Sequence, residues 1–510
     1  MKIWKSITTR LNIIIFFVVL IIAQVIIFIA VANRIANHLP ALSIIFYLIS
    51  FFVILDLIQK DKASAYKVKW LIIVMSFPVF GGIVYLLYGD KRPTRKIAAM
   101  MKEHALIANV LDCDSVKSSS CRVGCDRSAG LIQYIRRASS YPAFENTGAK
   151  YYTFGELMFE DMLTELESAE KFIFVEYFII SESKMWDRII EILIRKAADG
   201  VDVRLIFDDF GSLKLFTNSY IADLRSKNIK IVRFSPIVPF LSGFMNNRNH
   251  RKIVVIDGHT AFNGGMNIAD EYINLNDRLG LWKDTGVRLK GDAVWSFTLM
   301  FIETWDAFCK PGERIDDYTS YKNMSTEKPV SDGLVLPYGD SPLDGEQLGE
   351  NVYIEILNQA RSYVYIFTPY LIISEKMIHA LQMAAKRGVD VRIVTPGIPD
   401  KKIVYRLTRS YYRYLLDVGI RIYEYSLGFL HAKSFVCDDE IAVVGTINLD
   451  YRSLYLHFEC ATLLYNSSII KDVKEDALKT MSDGREVFSE KRTFLNEFID
   501  AILHFFAPLM

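Results

Sequence analysis

The sequence predicts an α/β protein in which two duplicated lobes, each a mixed sheet flanked by helices, follow N-terminal transmembrane helices. Three observations predict this class. Long apolar segments are concentrated before residue 90, and patterns typical of helices and strands alternate from about residue 151. The string GVDVR occurs at 200–204 and again at 388–392, which indicates an internal duplication.

Composition limits the class of protein. A chain of 510 residues is long enough for two or more domains. Its formal net charge of +1 does not provide the basic field that nucleic-acid-binding proteins use, so no nucleic-acid partner is expected. Six cysteines are too few for a disulfide scaffold in a chain of this length. Cys113, Cys121 and Cys125 do not have the spacing of a zinc knuckle.

The N-terminal region, residues 1–90, contains three apolar segments at 11–32, 39–55 and 70–89. Because a membrane span needs about 20 apolar residues, this region predicts two to three transmembrane helices and a multi-pass protein of the cell membrane. For 11–32, a cleaved signal peptide and an interfacial helix are alternatives. Lysine and arginine counts only slightly favour a cytoplasmic N-terminus, so the side that the lobes face stays open.

A polar connector is predicted over 91–150, and the first lobe over 151–310. This lobe begins with the apolar spacing of a helix, a strand, a second helix and a second strand. These elements are predicted at 154–171, 172–180, 185–200 and 201–211. Their alternation is typical of a parallel or mixed sheet with helices on its faces.

The same order of elements returns in the C-terminal half of the chain. Residues 361–373 match the first strand region, and residues 380–397 match the helix end and strand around the first GVDVR. A segment rich in polar and turn residues separates the two copies and predicts a linker over 311–340. The second lobe is therefore predicted over 341–510.

Each predicted lobe contains one copy of the spacing H-x-K-x4-D. HRKIVVID begins at residue 250 and HAKSFVCD at residue 431. Alternation along a strand would place the histidine and lysine of each copy on one face. An asparagine follows each histidine by 17 residues, and the residue at position 15 is glycine in one copy and threonine in the other. The matched residues are His250, Lys252, Asp257, Gly265 and Asn267 in the first copy, and His431, Lys433, Asp438, Thr446 and Asn448 in the second.

These residue types suit phosphate chemistry. Two lysines and two asparagine amides can hold the charged oxygens of a phosphodiester and of its transition state. One histidine can attack phosphorus while the other protonates the departing alkoxide, because imidazole changes protonation near neutral pH. Glu459 and Asp284 are the candidate carboxylates that fix the histidine tautomers. A lysine close to each histidine would repel a cation, so no metal or other cofactor is expected.

The sequence resembles the phospholipase D superfamily and, within it, the bacterial cardiolipin synthases. The two motif copies carry the resemblance together with GGMN and GTINLDYRS. Similar flanking strings are WKDTGVRLKG (282–291), TPYLI (368–372), GVDVRIVTPGIPD (388–400) and GFLHAK (428–433), with PVFGGIVYLLYG (78–89) and FAPLM (506–510) near the ends. The resemblance covers roughly residues 40–510.

The resemblance implies a bilobed fold with one active site at the lobe interface and no metal. It implies transfer of a phosphatidyl group between two phosphatidylglycerol molecules, giving cardiolipin and glycerol through a phosphohistidine. Membrane phospholipids, namely phosphatidylglycerol and cardiolipin, are then the partners. Both H-K-D triplets would be catalytic, with His250 as nucleophile and His431 as general acid. Lys252, Lys433, Asn267, Asn448 and Thr446 would bind phosphate, with Gly265 at the position equivalent to Thr446.

Three features depart from the family pattern. His457 replaces a usual asparagine, Cys437 replaces a usual aliphatic residue, and residues 11–32 form an additional segment. A phosphatidyltransferase or phospholipase D that uses water or serine as acceptor would carry the same triplets and remains an alternative. A membrane-anchored scaffold without activity is disfavoured, because both triplets are intact. The sequence does not indicate an oligomeric state.

Overall fold

A computed structural model describes residues 40–60, 64–89, 127–236, 247–322, 332–489 and 493–507, with positions 26, 30 and 34. The chain divides into two compact units, one formed by the residues up to Arg92 and the other by nearly all of the rest. Apart from positions 26 and 30, the predicted helix at 11–32 lies outside the described residues, as do Cys113, Cys121, Cys125 and the start of the predicted connector.

Within residues 40–60 and 64–89, the N-terminal unit has the helices α1 (Pro40–Gln59), α2 (Ser64–Ser76) and α3 (Pro78–Tyr88). The predicted segment 39–55 lies within α1, whereas the predicted segment 70–89 is divided between α2 and α3. The division falls at Pro78, because proline has no N–H with which to continue a helix. Over the described stretches of the chain, no helix combines the length and apolar character of a membrane span.

The first lobe is built on a seven-stranded mixed sheet with the order β1-β7-β6-β5-β2-β3-β4. Strand β2 pairs in parallel with β3 and β3 in parallel with β4, and the other neighbours are antiparallel. Its strands are β1 (Thr147–Tyr152), β2 (Phe172–Tyr177), β3 (Asp202–Asp208), β4 (Lys230–Phe234), β5 (Lys252–Ile256), β6 (Thr260–Gly264) and β7 (Gly286–Gly291).

The second lobe repeats this order in an eight-stranded sheet, β17-β12-β11-β9-β13-β14-β16-β8, in which β17 is the additional edge strand. Strands β10 and β15 form a separate two-stranded pair. The strands are β8 (Leu334–Asp340), β9 (Tyr363–Phe367), β10 (Leu371–Ile372), β11 (Asp390–Pro396), β12 (Arg421–Tyr425), β13 (Ser434–Cys437), β14 (Ile441–Gly445), β15 (Leu449–Asp450), β16 (Glu459–Tyr465) and β17 (Gly484–Val487). The prediction of two duplicated α/β lobes with mixed sheets is confirmed.

Helices cover both sheets. They are α4 (Ala129–Ser139), α5 (Gly155–Glu167), α6 (Lys184–Ala198), α7 (Asn218–Ser226), α8 (Val294–Phe308), α9 (Leu348–Gln359), α10 (Glu375–Lys386), α11 (Lys402–Leu416), α12 (Tyr451–Tyr455), α13 (Ile469–Ser482) and α14 (Phe494–Phe506), with 3₁₀ turns at Asp270–Ile273, Pro311–Glu313 and Tyr318–Tyr321. Helices α8 and α13 lie between the sheets, where one buried apolar cluster contains residues of both lobes. The lobes therefore share a core.

The repeated GVDVR string forms the same turn in both lobes. Gly200 follows α6 with φ +93° and Gly388 follows α10 with φ +90°, a conformation that costs glycine little. Strands β3 and β11 begin two residues later. In both lobes this turn leads from a helix into an equivalent parallel strand, β3 or β11, which explains why the string occurs twice.

The structure shifts two predicted boundaries. Strand β1 starts at Thr147 and joins the first sheet, so this sheet includes the last residues of the predicted connector. Helix α4, also in the connector, packs against the core of the second lobe through Leu131, Ile132 and Ile135. Strand β8 likewise places Leu334–Asp340 of the predicted linker in the second sheet. Pairing with the sequence-distant strands β7 and β16 determines where β1 and β8 lie, and no local sequence pattern predicts this pairing.

Candidate active site

The two histidine motifs enter equivalent central strands, β5 and β13, and both meet the other lobe just before those strands begin. The backbone N–H of His250 donates to the carbonyl of Phe458 at 2.8 Å, and the N–H of His431 donates to the carbonyl of Lys283 at 2.7 Å. Each contact belongs to a short parallel bridge between the lobes. The lobes are therefore joined by backbone hydrogen bonds at the two histidines.

Through these bridges, each lobe supplies a carboxylate to the histidine of the other lobe. Glu459 follows Phe458, and both its oxygens lie 2.9 Å from Nδ1 of His250. Asp284 follows Lys283, and its Oδ2 lies 2.6 Å from Nδ1 of His431. Both carboxylates are fully buried. Each histidine thus has its partner in the opposite lobe, so neither lobe holds a complete site.

The carboxylates fix the tautomers. When Nδ1–H donates to a carboxylate, the lone pair lies on Nε2, which can attack phosphorus or accept a proton. Nζ of Lys433 also lies 2.8 Å from Nδ1 of His431, but the carboxylate of Asp284 lies closer and is the stronger acceptor. We therefore infer that Nδ1 of His431 carries the proton and donates it in a hydrogen bond to the carboxylate of Asp284. Nζ of Lys433 donates to the carbonyl of His431, as Nζ of Lys252 does to the carbonyl of His250 at 2.6 Å.

Burial dominates the electrostatics of the site. It lowers the pKa of Lys252 to about 8 and that of Lys433 to about 7. Burial and the charge of Lys433 lower the pKa of His431 to about 4, although Asp284 opposes the shift. The pKa of His250 falls well below its ordinary value because of burial, then the charges of Lys252 and His457. Such a cluster of cationic groups gains most from an anionic ligand, which would stabilise every protonated form.

The two motif asparagines have different hydrogen-bond partners. Asn267 accepts from the N–H of Ile179 at 3.2 Å and donates to the hydroxyl of Tyr272 at 2.8 Å. The Tyr272 ring lies 5.3 Å from the ring of His431, centroid to centroid. Asn448 donates to Asp450 at 3.0 Å, and within the described part of the chain its buried Oδ1 has no hydrogen-bond partner.

The residues at position 15 lie behind the carboxylates. The hydroxyl of Thr446 donates to Oε2 of Glu459. A Cβ atom at Gly265 would lie only 2.1 Å from Oδ1 of Asp284, so this position must be glycine for Asp284 to reach His431. The structure therefore brings both residues to the site as supports of the carboxylates. Their predicted contact with phosphate stays a prediction.

The structure does not bring the two motif aspartates to the histidines. Asp257 and Asp438 lie at the opposite ends of β5 and β13, about 15 Å from the lysines at the rise of a strand. Asp257 accepts hydrogen bonds from the backbone N–H groups of residues 170–172. Asp438 accepts from those of residues 361–363 and also pairs with Arg127. Both therefore fix the start of the neighbouring strand.

His457 is a site residue to which the sequence assigned no role. Its ring centroid lies 5.4 Å from that of His250, and its Nδ1 lies 3.6 Å from Oε1 of Glu459. Its Nε2 accepts from Nε of Arg452 at 3.3 Å. The departure from asparagine in HFEC, two residues before Glu459, was the available signal.

In the part of the chain that the structure describes, His250, His457 and Glu459 form a group whose ligand atoms could hold a metal ion, since these atoms lie within 4.8 Å of one another. Burial, followed by the charges of Arg452 and Lys252, lowers the pKa of His457. A metal ion at this position would be repelled by the same two positive charges. We assign no metal to these residues.

Comparison with known proteins identifies the family. A family model described as "Cardiolipin synthase, PLD-like domain" matches residues 162–287 and 353–480, and one described as "Phospholipase_D-nuclease N-terminal" matches 45–89. An uncharacterized protein of Streptococcus mutans is 44% identical over 90% of this chain and 99% of its own length. A cardiolipin synthase of Alkalihalophilus pseudofirmus is 31% identical over 98% of this chain and 99% of its own length.

A solved structure supports the bilobed fold. The phosphatidylserine synthase of Haemophilus influenzae superposes with a TM-score of 0.55 at 15% identity, covering 75% of this chain and 98% of that chain. At this identity the likeness concerns the fold alone. The relatives, which match most of the chain, carry the assignment together with the family model, which matches about half of it. The chain belongs to the bacterial cardiolipin synthases of the phospholipase D superfamily.

Proposed function

We propose that this protein synthesises cardiolipin by transferring a phosphatidyl group from one phosphatidylglycerol molecule to another, with release of glycerol. The observation that carries the proposal is the reciprocal arrangement of two buried histidines, each held by a carboxylate of the opposite lobe and accompanied by a lysine. Membership of the cardiolipin synthase family supports the choice of lipid.

In the first half-reaction, Nε2 of His250 attacks the phosphorus of phosphatidylglycerol. The bond from phosphorus to the glycerol oxygen breaks, and His431, protonated on Nε2, gives its proton to that oxygen as glycerol leaves. His431 must gain this proton before the reaction, and the negative charge of the bound phosphodiester raises its pKa. Lys252 and Lys433 hold the non-bridging oxygens, and Asn267 and Asn448 supply amide contacts.

In the second half-reaction, the hydroxyl group of a second phosphatidylglycerol attacks phosphorus. His431, now neutral on Nε2, removes the hydroxyl proton while the phosphorus–nitrogen bond to His250 breaks. The products are cardiolipin and a free His250, and His431 is protonated again for the next cycle. No group outside the chain and its two lipid substrates is required for the balance.

We further propose that residues 1–90 anchor the enzyme in the cell membrane as a multi-pass region. Helix α1 supports this, because it exposes large apolar side chains along most of its length. These side chains are Ile44, Ile45, Tyr47, Leu48, Phe51, Phe52, Leu55 and Ile58. Membrane fractions that retain the protein after alkaline extraction would support the anchor, whereas release into the supernatant would contradict it.

The test of the reaction uses the purified full chain in detergent with phosphatidylglycerol labelled in its headgroup glycerol and, separately, in its acyl chains. We expect labelled glycerol and acyl-labelled cardiolipin, with the four acyl chains of two phosphatidylglycerol molecules, in equal molar amounts. Formation of phosphatidic acid would make water the acceptor, and formation of phosphatidylserine on addition of serine would make serine the acceptor. Either as the main product would overturn the proposal.

A further inference from the structure

The C-terminal helix α14 is packed with its polar face against the protein and its apolar face outwards. Phe494, Leu495, Phe498 and Ile502 have exposed fractions of 85, 65, 57 and 44%. Their spacing of three, four and seven residues places them on one side of the helix. Leu503, on another side, packs partly against the core of the second lobe. These four large apolar side chains are thus exposed to water.

Polar contacts hold the opposite side of α14 to α11. Asp500, which is buried, accepts from Nε of Arg406 at 3.1 Å, and Asn496 accepts from the same guanidinium at 3.2 Å. The Ser410 hydroxyl and Nε2 of His504 lie 2.8 Å apart. These side chains fix the rotation of the helix, so the outward apolar face is determined by the fold rather than left to a loosely attached terminus.

The surface around α14 combines further apolar groups with basic ones. Phe488 at the end of β17 is 72% exposed, and Ile403 in the first turn of α11 is 59% exposed. Lys401 and Lys402 adjoin Ile403 and are exposed, whereas Arg413, whose side chain is about half exposed, pairs with Glu497 of α14 at 3.5 Å. Large apolar groups with cations beside them are the combination that interfacial helices use on anionic bilayers.

Hydrogen bonds connect this surface to the candidate active site. Asp400, next to Lys401, accepts from the hydroxyl of Tyr370 at 2.7 Å. The hydroxyl of Thr368 donates to the carbonyl of Tyr370 and accepts from the N–H of Leu449, the residue after Asn448. The first turn of α11 is therefore fixed to the segment that carries one of the two motif asparagines.

We propose that the outer face of α14, with Phe488 and the first turn of α11, docks on an anionic phospholipid bilayer and brings the active site to its lipid substrate. The inference rests on the proposed function, because a lipid substrate is what makes a bilayer the fitting partner. The cations beside the apolar side chains favour an anionic bilayer over a second copy of this chain, which would present the same positive charges to them.

The test of contact replaces Phe498 by the photoreactive residue benzoylphenylalanine in the full chain, reconstituted in phosphatidylglycerol vesicles. The matched control places the same residue at Leu157 of α5, which is 53% exposed in the first lobe. We expect phospholipid adducts from position 498 and several-fold fewer from position 157. Cross-linked dimers, or cross-links to the N-terminal helices, would identify a different occupant and overturn the proposal, as would equal adducts at both positions.

A second test measures turnover with the charged variants Phe494→Glu/Phe498→Glu and Leu157→Glu. With phosphatidylglycerol in vesicles, we expect a loss of about tenfold or more for the double variant, since insertion of even one of its two apolar side chains contributes about a factor of ten. With short-chain phosphatidylglycerol dispersed in detergent, turnover should match that of the wild type. Equal activity of the double variant and Leu157→Glu on vesicles would overturn the docking surface.

The two tests separate this inference from the proposed function. The adduct at position 498 is measured without turnover, so it decides the docking surface even if the wild-type chain forms no cardiolipin. Conversely, cardiolipin formation by the wild type together with dimer cross-links at position 498 would leave the reaction in place and remove the docking surface.

Discussion

The two motif copies share a backbone arrangement but surround their histidines differently. His431 has one carboxylate, Asp284, which fits because Gly265 behind it lacks a side chain. His250 has the longer Glu459, held by the hydroxyl of Thr446. Duplication thus supplied the symmetry of the scaffold, and side-chain differences behind the carboxylates made the two halves chemically distinct.

A second histidine, next to His250, increases the difference between the surroundings of the two motif histidines. His457 adjoins His250, and its charge adds to burial and Lys252 in keeping the pKa of His250 well below its ordinary value. Burial and the charge of Lys433 lower the pKa of His431 to about 4, while Asp284 opposes them. An additional histidine that disfavours protonation of His250 suits a nucleophile, which must be neutral, and a carboxylate that favours protonation of His431 suits the acid. This comparison supports His250 as nucleophile and His431 as general acid, a choice that the sequence alone did not make.

The largest expected effect comes from removing either histidine. His250→Ala and His431→Ala should each reduce turnover by about 10³-fold or more, and the double variant should be no worse, because both serve one site. A nitrophenyl phosphodiester, whose leaving group needs no acid, should partly restore His431→Ala but not His250→Ala. Half of the wild-type activity in each single variant would show two independent sites, and a phosphorylated peptide containing His431 would reverse the roles.

Replacing either carboxylate tests the same comparison between the two motif copies, with the next largest expected effect. Asp284→Asn and Glu459→Gln keep the shape but remove the charge that fixes each tautomer, so turnover should fall by about 10²- to 10⁴-fold. With the nitrophenyl phosphodiester, whose leaving group needs no acid, the turnover of Asp284→Asn should be partly restored, because Asp284 acts through His431. Glu459→Gln should slow formation of the labelled intermediate instead. The opposite pattern would mean that each carboxylate serves the histidine of its own lobe.

His457→Asn should have a smaller effect that is visible in the pH profile. Without the charge of His457, the pKa of His250 rises, so more of the nucleophile is protonated at low pH. The acidic limb of the kcat/KM profile should therefore move to higher pH, while turnover at neutral pH changes by about tenfold at most. Phe178→Leu, which removes the ring that packs 5.1 Å from His250, is the control for packing alone. An unmoved limb in His457→Asn would contradict this coupling.

The motif aspartates should affect stability more than chemistry. Asp257→Asn and Asp438→Asn weaken hydrogen bonds to three backbone N–H groups each and should lower the free energy of unfolding by about 1–3 kcal/mol. Turnover per folded molecule should stay within about twofold. Denaturant unfolding with parallel activity assays measures both, and a large loss of turnover in a stable variant would place the aspartates in the chemistry.

The pH dependence of stability provides a check on Asp438. Burial raises its pKa, but hydrogen bonds from Tyr363, Arg361 and Ser362 outweigh burial and lower the pKa overall. A carboxyl group with a lowered pKa stabilises the folded state above its unfolded pKa, and this contribution is lost as the pH falls through the folded value. Asp438→Asn should therefore lose stability at neutral pH and show a smaller further loss on acidification than the wild type.

The sequence by itself determined the duplicated α/β lobes and the pairing of histidine with lysine. These features depend on local periodicity and on i, i+2 geometry within one strand, which neighbouring residues fix. It also identified Glu459 and Asp284 as the carboxylates. It did not place Asp257 and Asp438, because the same strand that aligns His and Lys carries the aspartate to its far end.

Only the tertiary structure decided which carboxylate serves which histidine, because Glu459 and Asp284 reach the opposite lobes through backbone bridges between segments distant in sequence. It also decided that α14 turns its polar face inwards. Amphipathic spacing identifies two faces of a helix, but α11 supplied the polar partners that determine which face is buried.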